Sequence, residues 1–471
     1  MMFGWILICC LTQVQLGTNH LEKVKKVIMK KFILIFMFTL FSCNVTILAD
    51  NVINITSGHS DPIPLAVNDF AGVDPVGVNL ARKIVSVISN DLKHSGLFRP
   101  ISKAAFIENK IGISHKPLFA AWQQINASLL VNGKVTRRNS GKIQVKFILW
   151  DPVLEREMIS ESFELSEKLW RRVAHKIADQ IYKKITGYEG YFNTRIVYVS
   201  ESGSYLKRVK RLAIMDQDGA KHKYLTDGTD LVLTPRFSPD GKRILYLSYK
   251  NGLPKVYMLD LRSGRTQIVG KFPGMSFAPR FSPDGKNAIM SIAKNGATNI
   301  YEINLRNKRM KQLTKGRSIN TSPSYSPDGK KIVFNSDRYG SRQIFVMNRD
   351  GSNKQRISYG GGSYAEPNWS SRDFIAFTKM SRDYGFTIGV MHPEVSKERN
   401  TERLIAQGYL VESPSWATNG RVMLFTKGSP PRGSKAKGLN RIYTIDFTGN
   451  NERIIPTPRD ASDPDWSSSV D

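Results

Sequence analysis

The stretch Pro235-Arg-Phe-Ser-Pro-Asp-Gly-Lys242 decides the fold, because it returns almost unchanged along the chain. It recurs as Pro279-Arg-Phe-Ser-Pro-Asp-Gly-Lys286 and as Pro323-Ser-Tyr-Ser-Pro-Asp-Gly-Lys330. Ser-Pro-Asp-Gly is typical of a type I turn, in which proline presets φ at the second position and glycine takes the fourth. An aromatic residue precedes each turn and an apolar run follows it. Each copy therefore predicts a strand, a tight turn and a second strand.

The spacing of the copies indicates a propeller. Successive prolines lie 44 residues apart (279 − 235 and 323 − 279), and the frame of proline, any residue, aromatic persists after the turn sequence is lost. Its later copies are Pro367-Asn-Trp369, Pro414-Ser-Trp416 and Pro464-Asp-Trp466. A period of about 40–45 residues is typical of one four-stranded propeller blade.

The two ends of this region predict that the blades close into a ring. Residues 196–199 and 212–215 have the pattern of second and third strands with no proline–aromatic strand before them, whereas Pro464-Asp-Trp466 is such a strand with nothing after it. Closure removes unpaired strand edges, which are a liability. We expect the tail to supply the inner strand of the blade that begins at Arg195, giving six blades. An open linear solenoid is the alternative.

The residues before the propeller carry no repeat and predict a small α/β domain. Helical apolar spacing covers 76–94 and 165–185, and a short helix is expected at 122–125. Strands are expected at 52–55, 64–67, 127–131 and 143–149, with turns at Asn132-Gly133 and Ser140-Gly141. The predicted organisation is a leader with a signal peptide (1–49), the α/β domain (50–190) and the six-bladed β-propeller (191–471).

The N-terminal region has the pattern of a secretory signal. Met29-Lys-Lys31 is followed by an apolar core at 32–41, and Ala49 closes a cleavage site before Asp50. The core is shorter than the roughly 20 residues that span a bilayer. We therefore take Met29 as the start and expect export to the periplasm. A lipoprotein acylated at Cys43 is the alternative, which the neighbouring phenylalanine disfavours.

The chain is strongly basic, with 69 lysines and arginines against 40 aspartates and glutamates. Such a balance raises the hypothesis of nucleic-acid binding. Export argues against it, as does the scatter of the cations through turns such as Asn307-Lys-Arg309. Solvated faces or an anionic envelope surface account for the charge. The three cysteines all precede residue 50, so no disulfide is expected in the mature chain.

With these features in place, the sequence resembles the TolB family, the periplasmic propeller proteins of the Tol-Pal cell-envelope system. The resemblance rests on the Ser-Pro-Asp-Gly blades, on the opening at 64–95 with Ser95-Gly-Leu-Phe98, and on the helix ending at Thr186-Gly187 before Arg195-Ile-Val-Tyr198. It implies a non-enzymatic scaffold without a cofactor. The implied role is in outer-membrane invagination during cell division and in envelope integrity.

The resemblance also implies two partners, each with its own binding region. The inner-membrane protein TolA is expected at the extended segment after the cleavage site, where branched residues can add to a sheet edge of a partner. An ordinary N-terminal strand is the alternative. The lipoprotein Pal is expected at the mouth of the propeller channel, where loops on a rigid scaffold would hold the contacts. The TolA segment comprises Asp50, Asn51, Val52, Ile53, Asn54, Ile55 and Thr56, and the mouth residues are Thr234, Met275, Ala278, Thr321, Glu366, Glu412 and Asp463.

Further expectations concern ions and other contacts. Glu366, Glu412 and Asp463 suggest an adventitious cation in the channel, because hard cations prefer oxygen ligands. The protein is expected to be a monomer that associates with the envelope through its partners, with outer-membrane porins or lipoproteins as further candidates. Gly428 to Gly438 is expected to be a solvated basic hairpin insertion in the sixth repeat.

Two other classes of protein stay open. Peptidases with similar blades carry an α/β hydrolase, but the sequence has no Gly-x-Ser-x-Gly motif, and Gly361-Gly-Ser-Tyr-Ala365 lacks its last glycine. Propeller lyases or lactonases would hold acids, histidines or asparagines in the channel, and His175 and His222 are not spaced as metal ligands. A propeller that binds carbohydrate or peptidoglycan without Pal is the second alternative.

Overall fold

The computed structural model describes residues 61–108, 112–138, 140–204, 207–270, 272, 274–393, 402–431 and 438–470. The leader, the predicted signal peptide and the predicted TolA segment lie outside the described residues. Within them, no helix is both long enough and apolar enough to cross a membrane.

The first part of the described chain is one mixed sheet with helices packed on it. Its strands are β1 (Ile63–Val67), β2 (Ala71–Gly72), β3 (Phe98–Pro100), β4 (Leu129–Arg137), β5 (Lys142–Asp151) and β6 (Arg156–Ser166). Its helices are α1 (Pro75–His94), α2 (Phe119–Gln124) and α3 (Trp170–Thr186), with short 3-10 helices at Lys103–Ala105 and Glu167–Leu169. The strand order is β3-β1-β4-β5-β6, and β2 pairs with β4. Strand β1 is parallel to both its neighbours, whereas β4, β5 and β6 are antiparallel.

Helix α1 begins where the sequence supplies a cap. The Asp74 carboxylate accepts a hydrogen bond from the Gly77 N–H at 2.7 Å, and Pro75 opens the first turn. Helices α1 and α3 pack on each other, and their apolar faces share one core with the sheet. The predicted faces of both helices are buried, with Leu80, Ile84, Val87, Ile88 and Leu92 in α1, and Val173, Ile177 and Ile181 in α3. Leu169, also predicted on the second face, is half-buried in the 3-10 helix that precedes α3.

The predicted turn at Asn132-Gly133 is wrong, because both residues lie within β4. The Asn132 side-chain oxygen accepts a hydrogen bond from the Trp150 indole N–H at 2.8 Å. A Cβ atom on Gly133 would come within 2.6 Å of the Phe70 ring. This pair of residues therefore serves the packing of the sheet instead of reversing the chain.

The predicted helix start at Leu165 is also wrong. Leu165 and Ser166 end strand β6, a strand that was not predicted, and α3 begins at Trp170. Phe163 and Leu165 are half-buried and alternate with exposed polar residues, which is the pattern of an edge strand with one covered face.

The rest of the described chain forms six four-stranded antiparallel sheets, which are the predicted blades. Blade 1 contains β7 (Arg195–Ser202), β8 (Val209–Asp216) and β9 (Lys223–Tyr224). Blade 2 contains β10 (Val232–Phe237), β11 (Arg243–Ser248), β12 (Lys255–Asp260) and β13 (Thr266–Ile268). Blade 3 contains β14 (Met275–Phe281), β15 (Asn287–Lys294), β16 (Ala297–Asn304) and β17 (Met310–Gln312). Blade 4 contains β18 (Asn320–Tyr325), β19 (Lys331–Ser336), β20 (Gln343–Asn348) and β21 (Gln355–Arg356). Blade 5 contains β22 (Ser363–Trp369), β23 (Ile375–Ser381), β24 (Gly385–Met391) and β25 (Arg403–Gly408). Blade 6 contains β26 (Leu410–Trp416), β27 (Val422–Gly428), β28 (Asn440–Asp446) and β29 (Arg453–Ile454). A further strand, β30 (Asp460–Trp466), completes blade 1.

The predicted closure of the ring is confirmed. Strand β30 pairs antiparallel with β7, with Ala461 opposite Ser200 and Trp466 opposite Ile196. The tail therefore supplies the innermost strand of the blade that begins at Arg195, and the fold is an α/β domain followed by a six-bladed β-propeller.

The Ser-Pro-Asp-Gly turns connect the first and second strands of their blades. In blade 2 the Gly241 N–H donates to the Ser238 carbonyl at 2.8 Å, and the Ser238 hydroxyl oxygen accepts from the Arg243 N–H at 2.9 Å. Blade 6 keeps the same backbone bond, from Gly420 to Ala417 at 2.9 Å, without the turn sequence. The end of the ring that carries these turns is called the turn end below.

Candidate partner-binding face and channel

Each of the six innermost strands carries a bulge at the same place. The pairing with the second strand shifts register around the proline of the repeated frame. The residue before that proline has φ between +47° and +58°, a left-handed conformation that costs a residue other than glycine roughly 1–3 kcal/mol. Bulges of this kind re-aim side chains and are common beside functional sites. The six residues are Thr234, Ala278, Ser322, Glu366, Ser413 and Asp463.

The predicted mouth residues lie in these strands, so their assignment to loops is wrong. Each innermost strand begins three or four residues before its proline, because the bulge lets the pairing continue past a residue that has no N–H to donate. Thr321 and Glu412 come one residue before the left-handed position. Ser322 and Ser413, which hold that position, were missed. The residue directly before each proline is the signal that would have found them.

The bulges of neighbouring blades are hydrogen-bonded to one another on one side of the channel. The Ser413 N–H donates to Glu366 Oε2 at 2.6 Å, and the Ser413 hydroxyl donates to Asp463 Oδ1 at 3.1 Å. Asp463 Oδ2 accepts from the Thr234 N–H at 3.3 Å. This chain of bonds runs from blade 5 through blades 6 and 1 to blade 2, and it crosses the closure of the ring.

A third carboxyl group, that of Glu412, lies near this chain of bonds. Burial, and then the neighbouring carboxylates of Glu366 and Asp463, raise the pKa of Glu412 to about 8. At neutral pH this side chain is therefore largely protonated. The three acids carry fewer negative charges than their number suggests.

The three acids named for the predicted channel cation do not group as ligands among the described residues. In the part of the chain that the structure describes, the acids and histidines whose ligand atoms group within 4.8 Å of one another are His175, Asp216 and Asp218, not the three channel acids. Arg171 already contacts this group: its Nε lies 3.4 Å from Asp216 Oδ2 and its Nη2 pairs with Asp218. His175 Nδ1 lies 2.6 Å from a carboxylate oxygen of Asp91. The group is an ion-pair network between α3 and blade 1.

The end of the ring opposite the turn end differs from it in its exposed side chains. This mouth face comprises the residues that lead into each innermost strand and the connections between the second and third strands. In the described residues, the connections at the turn end expose no large apolar or aromatic side chain. The mouth face exposes Leu231, Tyr249, Leu253, Met275, Ile319, Tyr339, Tyr359, Tyr384, Tyr409 and Leu439. Clustered exposed apolar side chains mark interaction sites, where tyrosine and methionine are enriched.

The structure places three of the predicted Pal contacts together on adjacent blades. Met275, at the start of β14, is half-exposed, and Ala278 is partly buried in the same strand. Thr321 lies in β18 of the next blade, where its hydroxyl oxygen accepts from the Asn335 side-chain amide at 2.8 Å. Their contact with a partner stays a prediction.

The predicted insertion at 428–438 joins β27 to β28 and therefore belongs to the mouth face. Its described ends are paired, since the Ser429 N–H donates to the Leu439 carbonyl at 3.0 Å. Residues 432–437 lie outside the described part of the chain.

Comparisons with known proteins match both parts of the chain. A family model described as the TolB amino-terminal domain matches residues 51–158, and one described as the TolB beta propeller domain matches residues 182–470. The Tol-Pal system protein TolB of Rickettsia peacockii (strain Rustic) is 59% identical over 444 residues, which cover 93% of this chain and 99% of that protein. The protein of the same name from Rickettsia bellii (strain OSU 85-389) is 58% identical over 442 residues, with the same coverage of 93% and 99%.

A solved structure supports the architecture. The crystal structure of TolB from Acinetobacter baumannii has a TM-score of 0.75 at 24% sequence identity, and the match covers 88% of this chain and 98% of that one. The propeller model alone spans more than half of this chain, and the Rickettsia proteins match it along nearly their whole length. These matches show that the chain belongs to the TolB family.

Proposed function

We propose that this chain is a non-enzymatic scaffold of the Tol-Pal system in the periplasm. In this role it binds Pal at the mouth face and TolA through residues 50–56, and so helps the outer membrane to invaginate during division and to stay intact. The mature protein comprises the α/β domain at 50–190 and the propeller at 191–471. It acts as a monomer and joins the envelope through its partners.

The observation that carries this proposal is the difference between the two ends of the ring. Exposed tyrosines and aliphatic side chains are concentrated at the mouth face, and the described connections at the turn end have none. Buried aromatic anchors supply much of the binding energy of protein interfaces. A closed ring holds the ends of these connections in fixed positions, so less ordering is needed when a partner docks.

The hydrogen bonds of two of the three channel acids also favour binding over catalysis. Glu366 and Asp463 accept hydrogen bonds from backbone N–H groups and from the Ser413 hydroxyl. These bonds hold the acids in the framework of the ring. A propeller hydrolase or lyase would instead need acids or histidines directed at a substrate.

The test is a binding assay with purified Pal and TolA, alongside a pull-down from envelope extract. Thr321→Arg places a long cation at the mouth of the channel, in strand β18, and is expected to weaken Pal binding by about tenfold or more, the cost of one poorly paired charge. Asn307→Arg, on an exposed connection of the turn end, adds the same charge and serves as the control. Unchanged Pal affinity in Thr321→Arg would show that the mouth assignment is wrong.

The second arm of the assay removes residues 50–56. This deletion is expected to abolish TolA binding and to leave Pal binding intact. TolA binding that survives the deletion would refute the assignment of that segment. Recovery of peptidoglycan without Pal, or robust turnover of glycans, lactones or peptides, would reject the scaffold function.

A further inference from the structure

The channel opens at the turn end into a cavity of about 280 Å³. Each blade contributes to its lining the residue that stands between the proline and the aromatic of the repeated frame. In ring order from blade 2 these residues are Arg236, Arg280, Ser324, Asn368, Ser415 and Asp465. The channel is therefore polarised, with three acids near the mouth and, at the other end, two arginines and one aspartate.

Two of the charged members of this ring are held by other groups. Asp465 accepts hydrogen bonds from the Phe237 N–H at 2.8 Å and from the Ser415 hydroxyl at 2.9 Å. Arg236 donates to the Pro235 carbonyl at 2.7 Å, and its Nε lies 3.9 Å from Asp465 Oδ1. Arg236 thus has a hydrogen-bond acceptor and a nearby carboxylate.

Arg280 lacks both. Among the described residues, none makes a hydrogen bond or an ion pair with its guanidinium group. Burial, and then the charge of Arg236, lower the pKa of Arg280 to about 9, against weaker opposing effects of Asp465 and Glu366. The Arg280 side chain is partly exposed and lines the cavity, so its guanidinium group can meet a ligand there. A group with a strongly shifted pKa in a cleft is characteristic of binding sites.

We propose that this cavity binds one small anion through a carboxylate or phosphate group, held by Arg280 and Arg236. The forked N–H groups of guanidinium match the paired oxygens of both anions. Two arginines and one aspartate leave a single positive charge in the ring, which one monoanionic group balances. Ser324 is the third donor: its oxygen accepts from the Trp369 N–H at 3.5 Å, and its hydroxyl hydrogen is available for the ligand.

The cavity volume of about 280 Å³ is large enough for a phosphate group or a small organic acid, since a water molecule occupies about 30 Å³ in the liquid. This inference does not depend on the proposed Pal and TolA contacts, which lie at the mouth face and in residues 50–56. A failure of the anion site can therefore be distinguished from a failure of the Pal and TolA assignments.

The test is isothermal titration calorimetry of the full mature chain with inorganic phosphate and, separately, with citrate, at constant ionic strength. We expect saturable binding of one anion per chain. Arg280→Gln is expected to weaken it by about tenfold or more, the contribution of a charge-assisted hydrogen bond. Lys242→Gln is the matched control, because it removes the same charge from an exposed position at the turn end. The probe that binds more tightly shows whether the site prefers a phosphate or a carboxylate group.

Thermal unfolding without added anion supplies a second readout. If the guanidinium group of Arg280 serves to bind a ligand, Arg280→Gln keeps or raises the melting temperature of the free protein. The same substitution removes the rise in melting temperature that the anion causes in the wild type. A lower melting temperature for the free variant would show that Arg280 holds the fold. Equal weakening of binding in both variants, or no saturable binding of either probe, would overturn the proposal.

Discussion

The indole N–H of Trp466 donates a hydrogen bond to the Thr194 hydroxyl oxygen at 2.6 Å, and so joins the last strand of the propeller to the residue before its first strand. The Thr194 hydroxyl donates in turn to the Tyr191 carbonyl at 2.6 Å. The Tyr191 ring meets the indole edge to face, with centroids 5.6 Å apart. The closure of the ring is thereby tied to the segment that leads out of the α/β domain.

Replacing Trp466 tests how much this closure contributes to stability. Trp466 is only 6% exposed, so Trp466→Ala is expected to lower the free energy of unfolding by about 3–5 kcal/mol. Trp466→Phe keeps a ring but loses the hydrogen bond, and is expected to cost about 1 kcal/mol for that bond. Urea unfolding measures both. Trp170→Phe, on a half-buried position of α3, is the control, and equal costs at the two sites would contradict a special role for the closure.

The closure is predictable from the strand patterns, whereas the left-handed conformation of the bulges has no signal in the type of residue that holds it. The blade that begins at Arg195 lacks an innermost strand, and the strand around Pro464 has no blade of its own. The two complement each other, so closure follows from the strand patterns alone. The residues before the six prolines share no side-chain property, since they include alanine, glutamate and threonine. Sequence signals a positive φ reliably only through glycine or asparagine. The missing partner of Arg280 likewise depends on which side chains the ring brings together.

The strain in the bulges can be relieved at Ala278, which has φ +49°. Glycine adopts this conformation without the clash that costs an L-residue about 1–2 kcal/mol. Ala278→Gly is therefore expected to leave stability unchanged or to raise it by up to about 1 kcal/mol, after the entropy of glycine is subtracted. Ala288→Gly in the next strand of the same blade, which is buried and has no positive φ, is expected to destabilise. Chemical denaturation compares the two, and similar losses at both positions would argue against strain in the bulge.

The raised pKa of Glu412 predicts how stability depends on pH. The folded pKa of about 8 lies above the value of 4.5 for an ordinary glutamate, so between these values the folded state keeps a proton that the unfolded state has lost. This group therefore makes stability fall as pH rises through that window, with no further change above about pH 8. In Glu412→Gln this decline is expected to be shallower.

The measurement is the free energy of unfolding from pH 5 to pH 9 for the wild type and for Glu412→Gln. Burial also raises the pKa of Asp179, to about 7, and subtracting the two curves removes its contribution. Glu157→Gln, on the exposed edge strand β6, is the control and should leave the shape of the curve unchanged. Parallel curves for the wild type and Glu412→Gln would show that the buried glutamate does not retain its proton.

Phe447 is expected to contribute to the stability of the fold because three guanidinium groups lie close to its ring. The central carbons of Arg372, Arg403 and Arg421 lie 5.3, 5.5 and 5.4 Å from the ring centroid. Arg372 also donates to the hydroxyl oxygen of Tyr188, in the segment between the two domains, at 3.3 Å. Each cation–π contact contributes about 0.5–1 kcal/mol or more when desolvated. Phe447→Leu removes all three while retaining an apolar side chain, and is expected to cost about 1.5–3 kcal/mol.

The matched control for this substitution is Phe425→Leu. Phe425 is a buried phenylalanine in the neighbouring strand β27, and its described ring contact is with Tyr443 at 5.9 Å. A swap of this kind without cation–π contacts costs less than about 1.5 kcal/mol. Thermal and urea unfolding of both variants give the comparison. If Phe447→Leu costs no more than Phe425→Leu, the arginines near Phe447 add no stability through its ring, and the ring serves only as packing.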